Sequence, residues 1–269
     1  MAHLVVLMNF NVLTIFPEMF APFWEYGIVK KAIDQNLISV STINIRDFAK
    51  GRHRVTDDRP YGGGSGMVFK PEPLANAIRA AKKNSPSLRT ILLTPQGRSF
   101  TQETARELAT EEGLILICGR YEGVDERICH DFVDDEISIG DYVLTGGELA
   151  SMIIIDAVVR LIPGVLGNAD SAENDSFSDS LLAHAQYTRP RTFEGEEVPE
   201  VLLSGNHQQI EEWRFEESII RTFLKRQDLL KQRTLSEREI EILKKWCRDI
   251  EKIIHAQSVC GSDTLSGNK

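Results

Sequence analysis

Five strand-like stretches punctuate the first half of the chain: Asn11 to Phe16, Ile38 to Ile45, Thr90 to Thr94, Leu114 to Cys118 and Glu136 to Ile139. Between them the apolar residues fall at helical spacing. This alternation predicts an α/β domain, a mainly parallel sheet with helices on both faces. Thr101 is placed to cap a helix running towards Ala109, and Val124 to Phe132 supplies a further crossover helix. Glu148 to Leu161 is almost continuously apolar and reads as a buried helix, interrupted by Asp156 and Arg160.

The pattern changes after Pro163. Asn168 to Ser180 is acidic and serine-rich with one aromatic, too poor in apolar residues to order itself, and reads as a mobile linker. Beyond Tyr187 the helical period dominates. Ser236 and Glu239 form a capping box, and Ile240, Leu243, Cys247, Ile250 and Ile254 repeat on one helical face, so a small all-α C-terminal domain follows. The expected organisation is an α/β domain over 8–166, a linker over 167–187, a helical domain over 188–256 and a disordered tail over 257–269.

A length of 269 residues suits two domains, and 42% hydrophobic with 26% charged residues is ordinary for a soluble protein. Cys118, Cys129, Cys247 and Cys260 fall at no metal-ligand spacing and read as reduced cytosolic thiols. The run Leu4 to Leu7 is too short for a signal-peptide core or a membrane span, so no membrane partner is expected. A net charge of −9 argues against indiscriminate nucleic-acid binding. Locally the sign reverses. Arg46 to Arg59 holds five bases against three acids, +2, and Arg214 to Arg233 six against three, +3. Clusters like these are more often solvated faces than RNA contacts.

Chemistry concentrates where the strand-like stretches end. Gly119-Arg-Tyr-Glu-Gly-Val-Asp-Glu-Arg127 follows one, and Ile139-Gly-Asp-Tyr-Val-Leu-Thr-Gly-Gly147 closes another. Open α/β sheets bind ligands in the crevice outside such strand ends, and glycine lets the main chain approach closely. The chain contains no Gly-x-Gly-x-x-Gly and no Gly-Lys-Ser/Thr, so dinucleotide and P-loop readings lack support. Each loop taken alone is more often a tight structural turn than a ligand site.

With Leu92-Leu-Thr-Pro-Gln-Gly-Arg98 and Tyr61-Gly-Gly-Gly-Ser-Gly-Met67, these segments closely resemble the bacterial tRNA (guanine-N1)-methyltransferases. The resemblance runs from Phe10 to about Lys231 and includes Phe16-Pro-Glu-Met-Phe20, Asp57-Asp-Arg-Pro-Tyr61, Ile162-Pro-Gly-Val-Leu-Gly167, Tyr187-Thr-Arg-Pro190 and Val198 to His207. It implies the deep trefoil knot of the SPOUT methyltransferases. Met8, just before it begins, is a candidate natural start. It further implies methyl transfer from S-adenosyl-L-methionine to N1 of guanosine 37 of tRNA, 3′ of the anticodon, by a cytoplasmic homodimer whose sites are shared between subunits. Magnesium is implied without ligands, and no metal-binding residue is assigned.

The cofactor residues carried over are Leu93, Thr94, Pro95, Gly119, Tyr121, Glu122, Gly123, Ile139, Gly140, Asp141, Tyr142, Val143, Leu144, Gly146 and Gly147. Methyl transfer to a ring nitrogen is an in-line displacement, so alignment supplies much of the catalysis. Guanine N1 carries a proton at neutral pH and needs a base, a role the resemblance gives to Asp175. Charge then builds on the neighbouring carbonyl oxygen, where Arg160 matches the stabilising cation. Arg160 also lies four residues after Asp156 and could simply pair with it. Asp57, Arg59, Arg120, Ser171 and Arg189 are the implied tRNA contacts, while His53, His184 and His207 read as surface or packing residues. Three positions depart from the family: Thr94 for the usual serine, and Ser65 and Ala150 for frequent prolines. Two other classes stay open, an α/β enzyme holding nucleotide phosphate and a non-catalytic RNA-binding module.

Overall fold

The computed structural model describes residues 7–83, 85–167 and 175–262, with backbone alone at 253 and 256–262. It forms two compact units, Met1–Ala172 and Glu173–Lys269.

The first unit is built on five parallel strands, β1 (Met8–Thr14), β2 (Ile38–Asn44), β5 (Arg89–Ser99), β6 (Gly113–Cys118) and β7 (Asp135–Ser138), in the order β2-β1-β6-β5-β7. Between β2 and β5 lies a small antiparallel hairpin, β3 (Asp57–Asp58) and β4 (Val68–Phe69). Six helices accompany them: α1 (Ala21–Glu25), α2 (Gly27–Asp34), α3 (Pro71–Lys82), α4 (Gln102–Leu108), α5 (Glu126–Phe132) and α6 (Glu148–Val159).

Strand β6 explains the layering, since all six of its residues are buried. Leu114, Leu116 and Cys118 enter a core with Val29 and Ala32 of α2, Ala105 and Leu108 of α4, and Ile154 and Val158 of α6. Ile115 and Ile117 point the other way, to Leu74 and Ile78 of α3 and Ile128 of α5. A strand covered on both faces is apolar at every position, which is why it reads as an unbroken run.

Thr101 caps α4 as its sequence suggests, accepting from Thr104 N at 3.2 Å. Helix α5 begins later than the apolar pattern implies. Val124 is held in a bridge to Phe69, and Asp125 caps the helix by accepting from Arg127 N at 3.1 Å. Strand β5 extends beyond the five residues expected of it. It leaves its pairing with β7 after Leu93 and resumes at Arg98, both residues lying opposite Ile137.

The second unit contains helices Glu200–Leu203, His207–Lys225, Gln227–Lys231 and Glu237–Ser262. Leu181, Ile219, Leu230 and Ile242 form its core. The capping box is present: Glu239 Oε2 accepts from Ser236 N at 2.7 Å, and Ser236 Oγ accepts from Glu239 N at 3.3 Å. Two differences from the expected pattern stand out. A hairpin, Thr192–Phe193 against Glu196–Glu197, interrupts the helices, turning through Glu194 and Gly195 at positive φ as a two-residue hairpin loop requires. The last helix also passes residue 256, because nothing between Ala256 and Cys260 breaks a helix before Gly261.

Candidate functional site

The carboxyl ends of β5, β6 and β7 lie side by side, and the loops leaving them enclose one cavity of about 420 Å³. That is within the range of small-molecule sites, roughly 300–1,000 Å³. Its wall takes Leu93 to Pro95 from the β5 excursion, Gly119 and Tyr121 to Gly123 after β6, and Ile139, Gly140, Tyr142 to Leu144, Gly146 and Gly147 after β7. Asp141 is exposed and is not part of this wall. The main chain fastens the second and third loops together. Gly147 N donates to Gly119 O at 2.8 Å, and Arg120 forms an antiparallel bridge with Gly146. Gly140 sits at φ +148°, with the Tyr142 ring against it, a conformation open to few residues with a side chain.

The hairpin carrying Asp57 and Arg59 is stitched to the same wall. Glu122 N donates to Met67 O at 3.0 Å, Phe69 N to Gly123 O at 3.0 Å and Asp125 N to Phe69 O at 3.2 Å. Phe69 meets the Tyr121 ring edge-on with centroids 5.5 Å apart. A substrate held by the hairpin and a ligand in the cavity would therefore share a backbone connection.

Arg120, carried over as a tRNA contact, lines the cavity too, and its side chain is only 18% exposed. It lies over the Phe16 ring, 4.5 Å from the centroid, and pairs at 3.6 Å with Glu148. The partner in that pair, Glu148, is a residue that sequence reasoning did not single out. Its side chain is 3% exposed, at the start of α6, and accepts from Thr14 Oγ1 at 2.8 Å. The only signal was a carboxylate at the first position of a mostly apolar helix.

Cys129 lines the cavity, and Cys118 is buried in the core at the end of β6. Burial pushes the Cys129 thiol up to about 11, and burial with the nearby Glu148 charge pushes Cys118 up as well. Both stay protonated at neutral pH, so neither is a ready nucleophile. Among the described residues no three His, Cys, Asp or Glu side chains gather as a metal site.

The two catalytic candidates belong to different units. Arg160 is exposed at the end of α6, its backbone N–H donating to Asp156 O at 3.4 Å. Asp175 opens a tight turn in the second unit, where its carbonyl accepts from Ser178 N at 3.2 Å. Arg189 is exposed in that unit, and Ser171 lies outside the described residues. His184 packs against Trp213, with ring centroids 6.2 Å apart.

The sequence model of the family tRNA (guanine-1)-methyltransferase TrmD matches residues 8–232. A tRNA (guanine-N(1)-)-methyltransferase of Desulfatibacillum aliphaticivorans is 56% identical over 97% of this chain and 100% of its own length. The proteins of that name from Syntrophotalea carbinolica and Staphylococcus epidermidis are 55% and 53% identical over 91% of this chain, and over 98% and 99% of theirs.

Proposed function

The chain belongs to the tRNA (guanine-1)-methyltransferase family, and from that premise we propose that it transfers the methyl group of S-adenosyl-L-methionine to N1 of guanosine 37 in tRNA. The observation that carries this reading is the convergence of the three strand-end loops on one cavity of suitable size. When bound, S-adenosylmethionine supplies a methyl group activated by its sulfonium. Leu93 to Pro95, Gly119 to Gly123, Ile139, Gly140, Tyr142 to Leu144, Gly146 and Gly147 bind and orient it, and backbone hydrogen bonds hold the second and third loops together.

Asp175 accepts the N1 proton of guanine, and Arg160 stabilises the charge that this leaves on the carbonyl oxygen. Asp57, Arg59, Ser171 and Arg189 contact the tRNA. The active form is a homodimer with shared sites and a knotted chain path. Its support here is an uncovered apolar face on α6, where Leu149 and Ile153, one turn apart, are 51% and 46% exposed. Magnesium, which characteristically takes one or two carboxylates plus substrate oxygens, is implied without assigned ligands. Among the described residues no helix is long and apolar enough to cross a membrane, and we place the enzyme in the cytoplasm.

The test is methylation of tRNA transcripts carrying guanine or another base at position 37. Incorporation should require guanine there. Incorporation indifferent to that base, or tight RNA binding with no methyl transfer, would overturn the reading.

A further inference from the structure

Four residues from three separate segments close a ring that includes Arg120 of the cofactor wall. Thr14 Oγ1, at the end of β1, donates to Glu148 Oε1 at 2.8 Å. The same hydroxyl oxygen accepts from Phe16 N at 2.9 Å. The Phe16 ring carries the Arg120 guanidinium at 4.5 Å, and Arg120 Nη1 returns to Glu148 Oε2 at 3.6 Å. Thr14 is fully buried and Glu148 nearly so. A carboxylate removed from water this completely is stable only when paired. The positive end of α6, whose first turn holds Glu148, adds to the pairing.

What the ring fixes is the relative position of two cofactor loops. Arg120 belongs to the loop after β6, and Glu148 follows directly on the loop after β7. Between them Gly146 is gripped, since a Cβ there would lie 2.4 Å from Glu148 Oε2 and 3.0 Å from Arg120 Cγ. Phe16 keeps 39% exposure in this arrangement, one face serving as the shelf for a cation rather than as core.

We propose that Glu148 is a positioning residue for methyl transfer. Through Thr14 and Arg120 it holds the 119–123 and 139–147 loops at the separation that binds S-adenosylmethionine. This rests on the cofactor reading given above. The group touches neither substrate nor reacting atoms, so its effect is on affinity more than on turnover.

The experiment compares wild type with Glu148→Gln, Arg120→Gln and the double variant, measuring S-adenosylhomocysteine binding by calorimetry, KM and kcat for S-adenosylmethionine, and thermal unfolding. Hydrogen bonds to a charged group are worth enough for Glu148→Gln to weaken S-adenosylhomocysteine binding about tenfold. KM should rise in parallel while kcat changes less. The double variant should bind no more weakly than the worse single one, because both break one ring. Unaltered affinity with a lowered melting temperature would reduce Glu148 to a structural residue and overturn the proposal, as would strictly additive losses. Should Glu148→Gln fail to fold, Thr14→Val keeps both charges and is expected to weaken binding roughly threefold; unchanged affinity there also overturns it. Wild-type protein that bound no S-adenosylhomocysteine would sink the cofactor reading itself, and this proposal with it.

Discussion

Gly147 approaches Cys118 so closely that a Cβ at position 147 would stand 2.7 Å from the Cys118 Cα and 3.0 Å from Gly119 N. Its φ of −78° is open to any residue, so the requirement for glycine is one of space alone. Gly147→Ala should therefore force the last cofactor loop away from the end of β6. Overpacking of this kind costs about 1–3 kcal/mol, and S-adenosylhomocysteine affinity should fall with it. Gly167→Ala is the control, because among the described residues a Cβ there meets nothing within 4 Å. Melting temperature and calorimetry on the two variants should separate them cleanly.

Asp175→Asn should reduce single-turnover methylation by about 10² to 10⁴, the contribution of a positioned general base. Cofactor affinity should hardly move, since Asp175 is no part of the cavity wall. The variant should also depend more steeply on high pH, where guanine ionises unaided. Near-normal rates at neutral pH would make Asp175 an ordinary acid and direct the search to Asp57, Glu122 and Asp170.

Acid stability should depend on the arginine cluster behind the β5 excursion. Glu107 accepts from Arg89 at 2.6 Å and Arg98 at 3.0 Å, and Arg98 also grips Asp135 at 2.7 Å. Hydrogen bonding from Arg89 holds the Glu107 carboxyl below its ordinary 4.5. A group whose folded pKa is depressed contributes stability above the unfolded value and loses it as pH falls through the folded one. Melting temperature should thus decline below pH 4.5, and Glu107→Gln should flatten that decline. The pair is partly exposed, so the effect is modest and shrinks with salt. An identical acid slope in the variant would remove Glu107 from the account.

If each site is built from two subunits, inactive variants should complement. Mixing Asp175→Asn subunits with Tyr142→Ala subunits should restore part of the activity that each homogeneous preparation lacks. Fully active monomer in sedimentation would refute shared sites, and so would a mixture no better than its parts.

Strand β6 was legible because it is an unbroken apolar run with a turn at its end. Thr101, Ser236 and Glu239 were legible for a local reason, their capping partners lying three residues away. Glu148 was not. Its partners Thr14 and Arg120 are 134 and 28 residues distant, and only tertiary packing brings them to one carboxylate. The return of β5 at Arg98 was hidden too, because Pro95-Gln96-Gly97 reads as the end of a strand. Gly97 betrays it in three dimensions, where a Cβ would lie 2.3 Å from the Glu136 carbonyl carbon.

That excursion departs from β7 and rejoins it at a single residue, Ile137. Residues 94–97 are therefore a detour with coincident ends, and the ladder on either side is complete without them. The detour's chemistry at Thr94, Pro95 and Gln96 can be changed without removing a pairing of the ladder. Ligand preference at the detour is thereby separable from the pairing that folds the sheet.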